Sequence, residues 1–389
     1  MTIAYYTNVL SPHQLPLARE IVRLVGDDNY HYVFRDEPDQ ERLSLGWGDQ
    51  DLPRWCMRGG EDSPELVSAD LVYTGGLRPL GLLARRIAAG KKTFYVTERW
   101  FKPIRLFGIN FPGTWRLLVP SYRKMARRMV ELLNNPLCRC LTIGPWSRKD
   151  MLRLGVKAGQ IWEWGYFVEE GRGKREEGRG KWEEGRGKRE EGSGKKEEGR
   201  GKREEGRGKK GEGRGKREEA ALRILWVGRI VGLKRVDTII TAVKALISGG
   251  ERQIELDVYG SGMAESRLKK MARGYEEIVK FHSPVSIYEV REIMREHDVY
   301  VFASDANEGW GAVVNEALAE GMKVLGTYEA GASAAMLPDD DLFHSGDWRR
   351  LKELLARCAK EKRDGKLVGQ GIGEWTPEKA AQRLVGALA

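Results

Sequence analysis

The sequence predicts an α/β chain built from two doubly wound parallel-sheet domains. Three observations carry that class. Short apolar runs alternate with helix-patterned stretches through residues 1–168, and the same alternation restarts at Ala220. Between them lies a charged, glycine-rich repeat that offers nothing to build a core from. The 389 residues suffice for two domains with sizeable cores.

In order, Ile3 to Thr7 reads as a buried strand, followed by a turn over Asn8 to Pro12. The next stretch places Leu15, Leu17, Ala18, Ile21, Val22 and Leu24 on one helix face, and Pro16 is tolerated because it falls in the first turn. Tyr30 to Phe34 is a second strand, and Asp36 to Ser63 reads as loop and short helix. Ala69 to Thr74 is a strand that ends at Gly75-Gly76, Pro79 to Ala89 a helix, and Lys92 to Thr97 a strand that ends at Glu98-Arg99. Further strands are expected at Leu141 to Ile143 and Ile161 to Trp164, around a helix near Ser147 to Leu154. Ligands of such sheets collect at the carboxyl ends of the strands. That rule selects His13, Gln14, Gly75, Gly76, Glu98 and Arg99 as candidates for an acceptor-side cleft. The segment from Trp100 to Leu133 interleaves Lys102, Arg105, Arg116, Arg123, Lys124, Arg127 and Arg128 with aromatic and aliphatic residues. Ser121 to Leu133 reads as an amphipathic helix. Such a surface suits peripheral contact with an anionic membrane or a lipid-linked acceptor held there, and equally a solvated helix face.

From Glu169 to Glu219 the chain runs through seven near-identical heptads of the type EEGRGKR. A seven-residue period invites a coiled coil, but Trp182 is its one apolar residue, so no seam can be buried. Glu–Lys pairs would add about 0.3–0.5 kcal/mol each to a helix, whereas each glycine costs about 0.8–1.0 kcal/mol. The expectation is a disordered linker, with a root-mean-square span of roughly 40 Å as a glycine-rich coil.

In the second half, Leu222 to Val227 is a strand, Gly228 to Lys234 a turn, and Val236 to Ile247 a helix with Ile239, Ile240, Val243 and Leu246 inward. Ile254 to Tyr259 is a strand ending at Gly260-Ser261-Gly262, whose glycines permit close backbone approach to a ligand. Val279 to His282 is a strand, and Ser286 with Glu289 spells a capping box for a helix from Ile287 to Glu296. Then comes the most informative stretch: a strand from Val299 to Ala303, the turn Glu308-Gly309-Trp310-Gly311, and a helix from Ala312 to Ala319. A helix N-terminus behind a glycine turn presents free N–H groups and a positive dipole end to an anion. Glu308 and Glu316 frame it, and carboxylates accept from sugar and ribose hydroxyls. The pattern reads as a sugar-nucleotide site. Lys323 to Thr327 is read as a last strand, and Glu378 to Leu388 as a terminal helix.

The string EGWGAVVNEALAEG, Glu308 to Gly321, resembles the E-x7-E element of the retaining glycosyltransferases of family 4, which have the GT-B fold. The resemblance implies two Rossmann-like domains facing a cleft, transfer of a hexosyl unit from a nucleotide-diphosphate sugar with retention, and no need for a divalent metal. It implies that Arg229 and Lys234, matching G-R-x-x-x-x-K, hold the donor diphosphate, where fixed positive charge meets developing negative charge. On the same basis Glu308, Arg229 and Lys234 are the catalytic candidates. Glu316, Gly309, Trp310, Gly311, Ala312, Gly260, Gly262 and Val285 are the donor-binding ones. It also implies that the terminal helix crosses back onto the first domain, dividing the chain into 1–168, the linker 169–219, 220–370 and 371–389. More softly, NVLSPHQLPLARE, TERWFKP and WGYF resemble an uncharacterised bacterial branch of these enzymes.

Composition excludes little. The formal charge of +10 suggests anionic partners, but the glutamates within the repeat oppose nucleic-acid binding. No apolar run is long enough to span a bilayer, and MTIAYYTNVL lacks the features of a signal peptide, so a cytoplasmic place, peripheral on the inner membrane face, is expected. Neither the four cysteines nor the five histidines are spaced as a metal site. The expected partners are a nucleotide sugar, UDP- or GDP-linked, and a glycan or lipid-linked acceptor, with no cofactor. Two rivals remain open: a nucleotide-sugar epimerase or phosphorylase on the same fold, and a non-catalytic polyanion binder that uses the repeat.

Overall fold

Strand β1 (Ile3–Val9) is the axis of the first half: five successive residues from Ile3 to Thr7 are buried, as expected of a parallel strand covered on both faces. In this computed structural model, which describes residues 1–38, 40, 52–76, 78–106, 109–169, 171 and 221–388, the chain continues as α1 (Leu15–Val25), β2 (Tyr30–Asp36), β3 (Cys56–Arg58), α2 (Pro64–Ser68), β4 (Leu71–Gly75), α3 (Leu80–Ala88) and β5 (Lys92–Thr97). A short antiparallel pair, β6 (Ile104–Leu106) with β7 (Ile109–Phe111), precedes α4 (Pro120–Leu133), β8 (Cys138–Ile143), α5 (Gly144–Leu154) and β9 (Ile161–Trp164). The seven-stranded sheet has the order β3-β2-β1-β4-β5-β8-β9, and every pair in it is parallel.

The second half repeats the plan. It comprises β10 (Leu222–Val227), α6 (Val236–Ser248), β11 (Ile254–Tyr259), α7 (Glu265–Met271), β12 (Val279–His282), α8 (Ile287–Arg295), β13 (Val299–Phe302), α9 (Ala312–Ala319), β14 (Lys323–Thr327), α10 (Gly331–Met336), β15 (Leu342–Phe343), α11 (Trp348–Arg363) and α12 (Pro377–Gly386). Six parallel strands take the order β12-β11-β10-β13-β14-β15. In each sheet the first strand has a neighbour on either side reached by opposite crossovers, so a switch point opens at its carboxyl end. Ser286 and Glu289 form the expected reciprocal capping box at α8.

Some elements differ from expectation. The region from Asp36 to Ser63 contains the edge strand β3, held parallel to β2 through Tyr32, Val33 and Phe34; residues 39 and 41–51 lie outside the described residues. β14 is followed by β15, so Lys323–Thr327 is not the last strand. The longest helix of the second half, α11, buries Leu351, Leu354, Leu355 and Cys358 at helical spacing, and the apolar periodicity is diluted by nine charged residues.

The two halves share one hydrophobic core, which runs from Tyr5, Tyr32 and Tyr73 through Trp164 and Phe167 to Phe302, Trp310 and Leu384. α12 lies against α1 of the first half. There Lys92 Nζ donates to Ala387 O at 2.6 Å, and Arg383 Nη1 donates to Glu163 O at 3.0 Å. The heptad repeat lies outside the described residues, but its flanks are informative. Gly171 N donates to Ala319 O at 3.2 Å at the end of α9, and Arg291 Nη2 donates to Glu169 O at 2.9 Å. The first heptad, at Glu169 and Gly171, therefore already touches the second half, and β10 of that half starts at Leu222.

Candidate functional site

The carboxyl ends of β1, β4 and β5 open into a cavity of about 630 Å³. All six acceptor-side candidates, His13, Gln14, Gly75, Gly76, Glu98 and Arg99, line it. Tyr5, Asn8, Arg78, Tyr95, Trp100 and Tyr166 line it too, and sequence reasoning did not single these out. The strand-end rule could have found Tyr166, which follows β9 by two residues. The glycines have local reasons. Gly76 has φ +71°, and a β-carbon on it would strike the Asn8 side chain; one on Gly75 would lie 2.5 Å from the Tyr5 hydroxyl.

Glu98 is fixed from two sides. Tyr166 Oη donates to its Oε1 at 2.9 Å, and Lys102 Nζ donates to its Oε2 at 3.2 Å. Burial, reinforced by Glu98, pushes the Tyr166 phenol well above its ordinary value, so it stays a donor. The same carboxylate reaches across the halves: a β-carbon at Gly309 would collide with it. Arg99 crosses as well, with Nη1 donating to Ala306 O at 3.3 Å. Its guanidinium is pushed down by burial. Asp150, which accepts at 2.9 Å from the backbone N–H of both Trp100 and Phe101, is pushed up by burial.

On the opposite wall, Lys234 Nζ lies 2.5 Å from Glu308 Oε2, both side chains mostly shielded. The ammonium also sits 5.6 Å from the centre of the Phe302 ring. His13 Nδ1 of the first half lies 3.5 Å from Glu316 Oε1 of the second. The two glutamates of the E-x7-E spacing therefore have separate surroundings: Glu308 faces a lysine of its own half, and Glu316 a histidine of the other. Arg229 follows the β10 turn and is exposed. Gly311, with φ +96°, caps α9 where a β-carbon would enter the Phe302 ring; Ala312 opens that helix half-buried, and Val285 packs at the edge of the shared core.

Three donor-side candidates are placed for packing. Trp310 is 1% exposed. Its Nε1 donates to Asn315 Oδ1 at 2.6 Å, Asn315 Nδ2 donates to Tyr166 O at 2.9 Å, and the ring meets Trp375 with centroids 5.2 Å apart. A β-carbon on Gly165 would come within 2.6 Å of the same indole. The Trp310 side chain is an anchor between the halves, and a ligand could meet only its backbone. For Gly260 and Gly262 the close approach shown is to other loops, not to a ligand: their β-carbons would collide with the backbones of Gly228 and Ile230. Those loops are laced by Gly228 N to Tyr259 O at 3.0 Å and Ile230 N to Ser261 O at 2.7 Å. The run from Gly331 to Ala335 begins α10, and Gly331 N and Ala332 N donate to the carbonyls of Gly309 and Trp310 at 3.2 and 3.0 Å. That contact fixes the glycine turn from behind.

Comparison with known proteins places this geometry. Residues 221–361 match the family described as "Glycosyl transferases group 1". The match is confined to the second half of the chain. The whole chain superposes on solved GT-B structures. HepE of Anabaena in complex with UDP-glucose is 12% identical with a TM-score of 0.60, over 100% of this chain and 99% of that one. The lipopolysaccharide outer core galactosyltransferase WaaB is 14% identical with a TM-score of 0.60, over 100% and 99%. A structure described as trehalose-6-phosphate from E. coli bound with UDP-2-fluoro glucose is 9% identical with a TM-score of 0.62, over 100% and 99%. No curated protein matches the chain in sequence. At these identities the superposition shows the GT-B fold, as the resemblance of the string from Glu308 to Gly321 implied.

Proposed function

We propose that this chain is a glycosyltransferase that moves a hexosyl unit from a nucleotide-diphosphate sugar to a hydroxyl acceptor with retention at the anomeric carbon. The observation that carries the reading is the pairing of Lys234 with Glu308 opposite a cavity walled by Glu98 and His13. Cleavage of the donor bond leaves positive charge on the sugar and negative charge on the departing diphosphate. An ammonium has three N–H donors; Glu308 takes one and two remain for phosphate oxygens. Arg229 and the amides beginning α9 supply further positive potential. Glu308 accepts from the sugar and Glu316 from the ribose, each held in place by the cation or histidine beside it. Glu98 and His13 bound the space where the acceptor hydroxyl approaches. The acceptor is a glycan or a lipid-linked sugar, and the exposed Arg123, Lys124, Arg127 and Arg128 of α4 bring the protein to an anionic membrane. The nucleotide we favour is uridine diphosphate, since the similar structures HepE and E. coli trehalose-6-phosphate are described with UDP-glucose and UDP-2-fluoro glucose. The reaction requires no divalent metal under this scheme.

The test is thermal stabilisation by UDP-, GDP- and ADP-sugars, comparing wild type with Lys234→Ala. Stabilisation by one donor that the variant loses supports the site and identifies the nucleotide. No stabilisation by any of them defeats the proposal.

A further inference from the structure

Arg78 occupies an unusual place. Its guanidinium lines the 630 Å³ cavity and lies 4.7 Å above the Trp100 ring and 5.7 Å from the Tyr122 ring. Among the described residues no carboxylate pairs with it, and its one hydrogen-bond contact is the Met125 sulfur at 3.6 Å, a weak acceptor. Beside it the Tyr122 hydroxyl is buried with no hydrogen-bond partner. Arg78 itself is exposed and stacked on the two rings, so the costly group here is the buried Tyr122 hydroxyl, which an incoming acceptor would satisfy. Arg116 nearby is different, because its Nη1 already donates to Trp100 O at 2.8 Å and Lys102 O at 3.3 Å. Beside Arg78 a second hollow of about 370 Å³ is lined by Arg116, Val119, Ser121, Tyr122 and Met125. It opens beside Leu118 and Val119, which are 76% and 52% exposed. Arg78 lines the polar cavity and touches Tyr122 and Met125, which line the apolar hollow, so it stands where the two meet.

We propose that Arg78 and Tyr122 hold the phosphate of an amphiphilic acceptor, with its polar head in the large cavity and its apolar chain running over Val119 and Met125. This deepens the transferase reading and rests on it. A planar guanidinium and a phenol suit a tetrahedral oxyanion, and the flanking Val119 and Leu118 shelter a hydrocarbon chain from water.

Octyl phosphate below its micelle concentration, octanol and inorganic phosphate, each titrated calorimetrically into the full-length protein, test this. Octyl phosphate should bind at least tenfold more tightly than either of the others. Arg78→Gln should weaken octyl phosphate at least tenfold, and Tyr122→Phe, which keeps the ring under Arg78, about threefold or more. Val119→Asp should remove the advantage over inorganic phosphate. Equal binding of octyl phosphate and inorganic phosphate, or wild-type binding by both Arg78→Gln and Tyr122→Phe, overturns the proposal. So does Arg78-dependent sedimentation with phosphatidylcholine–phosphatidylglycerol vesicles when monomeric octyl phosphate does not bind, because a bilayer headgroup is then the ligand. Thermal stabilisation by UDP-glucose and GDP-mannose, measured on the same samples, separates the two readings. Octyl phosphate binding without any nucleotide-sugar response leaves the anion site standing and removes the transferase role; the reverse removes the acceptor site alone.

Discussion

Lys234 Nζ and Glu308 Oε2 lie 2.5 Å apart, so the two side chains expected to act on opposite parts of a donor hold each other. Each fixes the other's rotamer in a mostly shielded place, which lowers the ordering cost of binding. Removing one member therefore does more than delete a contact. Glu308→Gln keeps the shape and removes the charge. We expect transfer from the nucleotide sugar to fall by at least a hundredfold, with the thermal midpoint within a few degrees of wild type. Wild-type turnover would show that the carboxylate has no such role.

Gly309 and Glu98 meet across the halves, leaving no space for a methyl group. Gly309→Ala should push Glu98 away from Tyr166 and Lys102, lowering transfer tenfold or more. Glu98→Ala in the same chain should restore the lost stability but not the activity. A double-mutant cycle by chemical denaturation measures this coupling; strictly additive effects would mean that the two residues do not touch in solution.

Asn315 is the clasp of the shared core, since it accepts from Trp310 and donates to the Tyr166 carbonyl. Asn315→Leu strands a buried indole N–H. The expected loss is about 1–3 kcal/mol for the unsatisfied group, read as an earlier urea transition in tryptophan fluorescence. A variant as stable as wild type would place the Trp310 nitrogen in contact with water.

Asp257 gives the pH response. Burial pushes its carboxyl up, but hydrogen bonds to His297 and His282, at 3.1 and 2.5 Å, outweigh that and hold it at about 2 against an ordinary 3.8. A carboxyl depressed in the folded state stabilises it above the ordinary value, and that stability is lost as pH falls through the folded value. Between about pH 4 and 2 the wild type should therefore lose stability faster than Asp257→Asn. Parallel curves through that window would sink the assignment.

The repeat supplies a further test. Both its flanks attach to the second half, through Gly171 on α9 and through β10. Excising residues 172–219 with a short glycine–serine bridge should leave nucleotide-sugar affinity and transfer within about twofold. Loss of transfer would give the repeat a working role.

Much of this arrangement was legible because it depends on local pattern. Strand ends, glycine turns and apolar spacing located both sheets, the turn and helix that carry Glu308 and Glu316, and six residues that line one cavity. α11 was missed: Leu351, Leu354, Leu355 and Cys358 recur at helical spacing, but charged neighbours dilute the pattern. What could not be read depends on which loop faces which. A glycine that admits a ligand and one that admits another loop look alike in sequence, and Gly260 and Gly262 each lie against the backbone of a neighbouring loop. Likewise a tryptophan in a glycine turn can face a ligand or a core, and only the position of Gly165 and Trp375 decides for Trp310.

The return of α12 onto α1 has a mechanical consequence. The halves are joined by two strands of chain, residues 165–169 and the approach to Pro377, rather than by one. A body hung from a single tether can swivel about any axis, whereas one hung from two rotates about the line between them. A rotation of one half against the other would thus be confined to one arc, along which Glu98 meets Gly309 and His13 meets Glu316 in a single register.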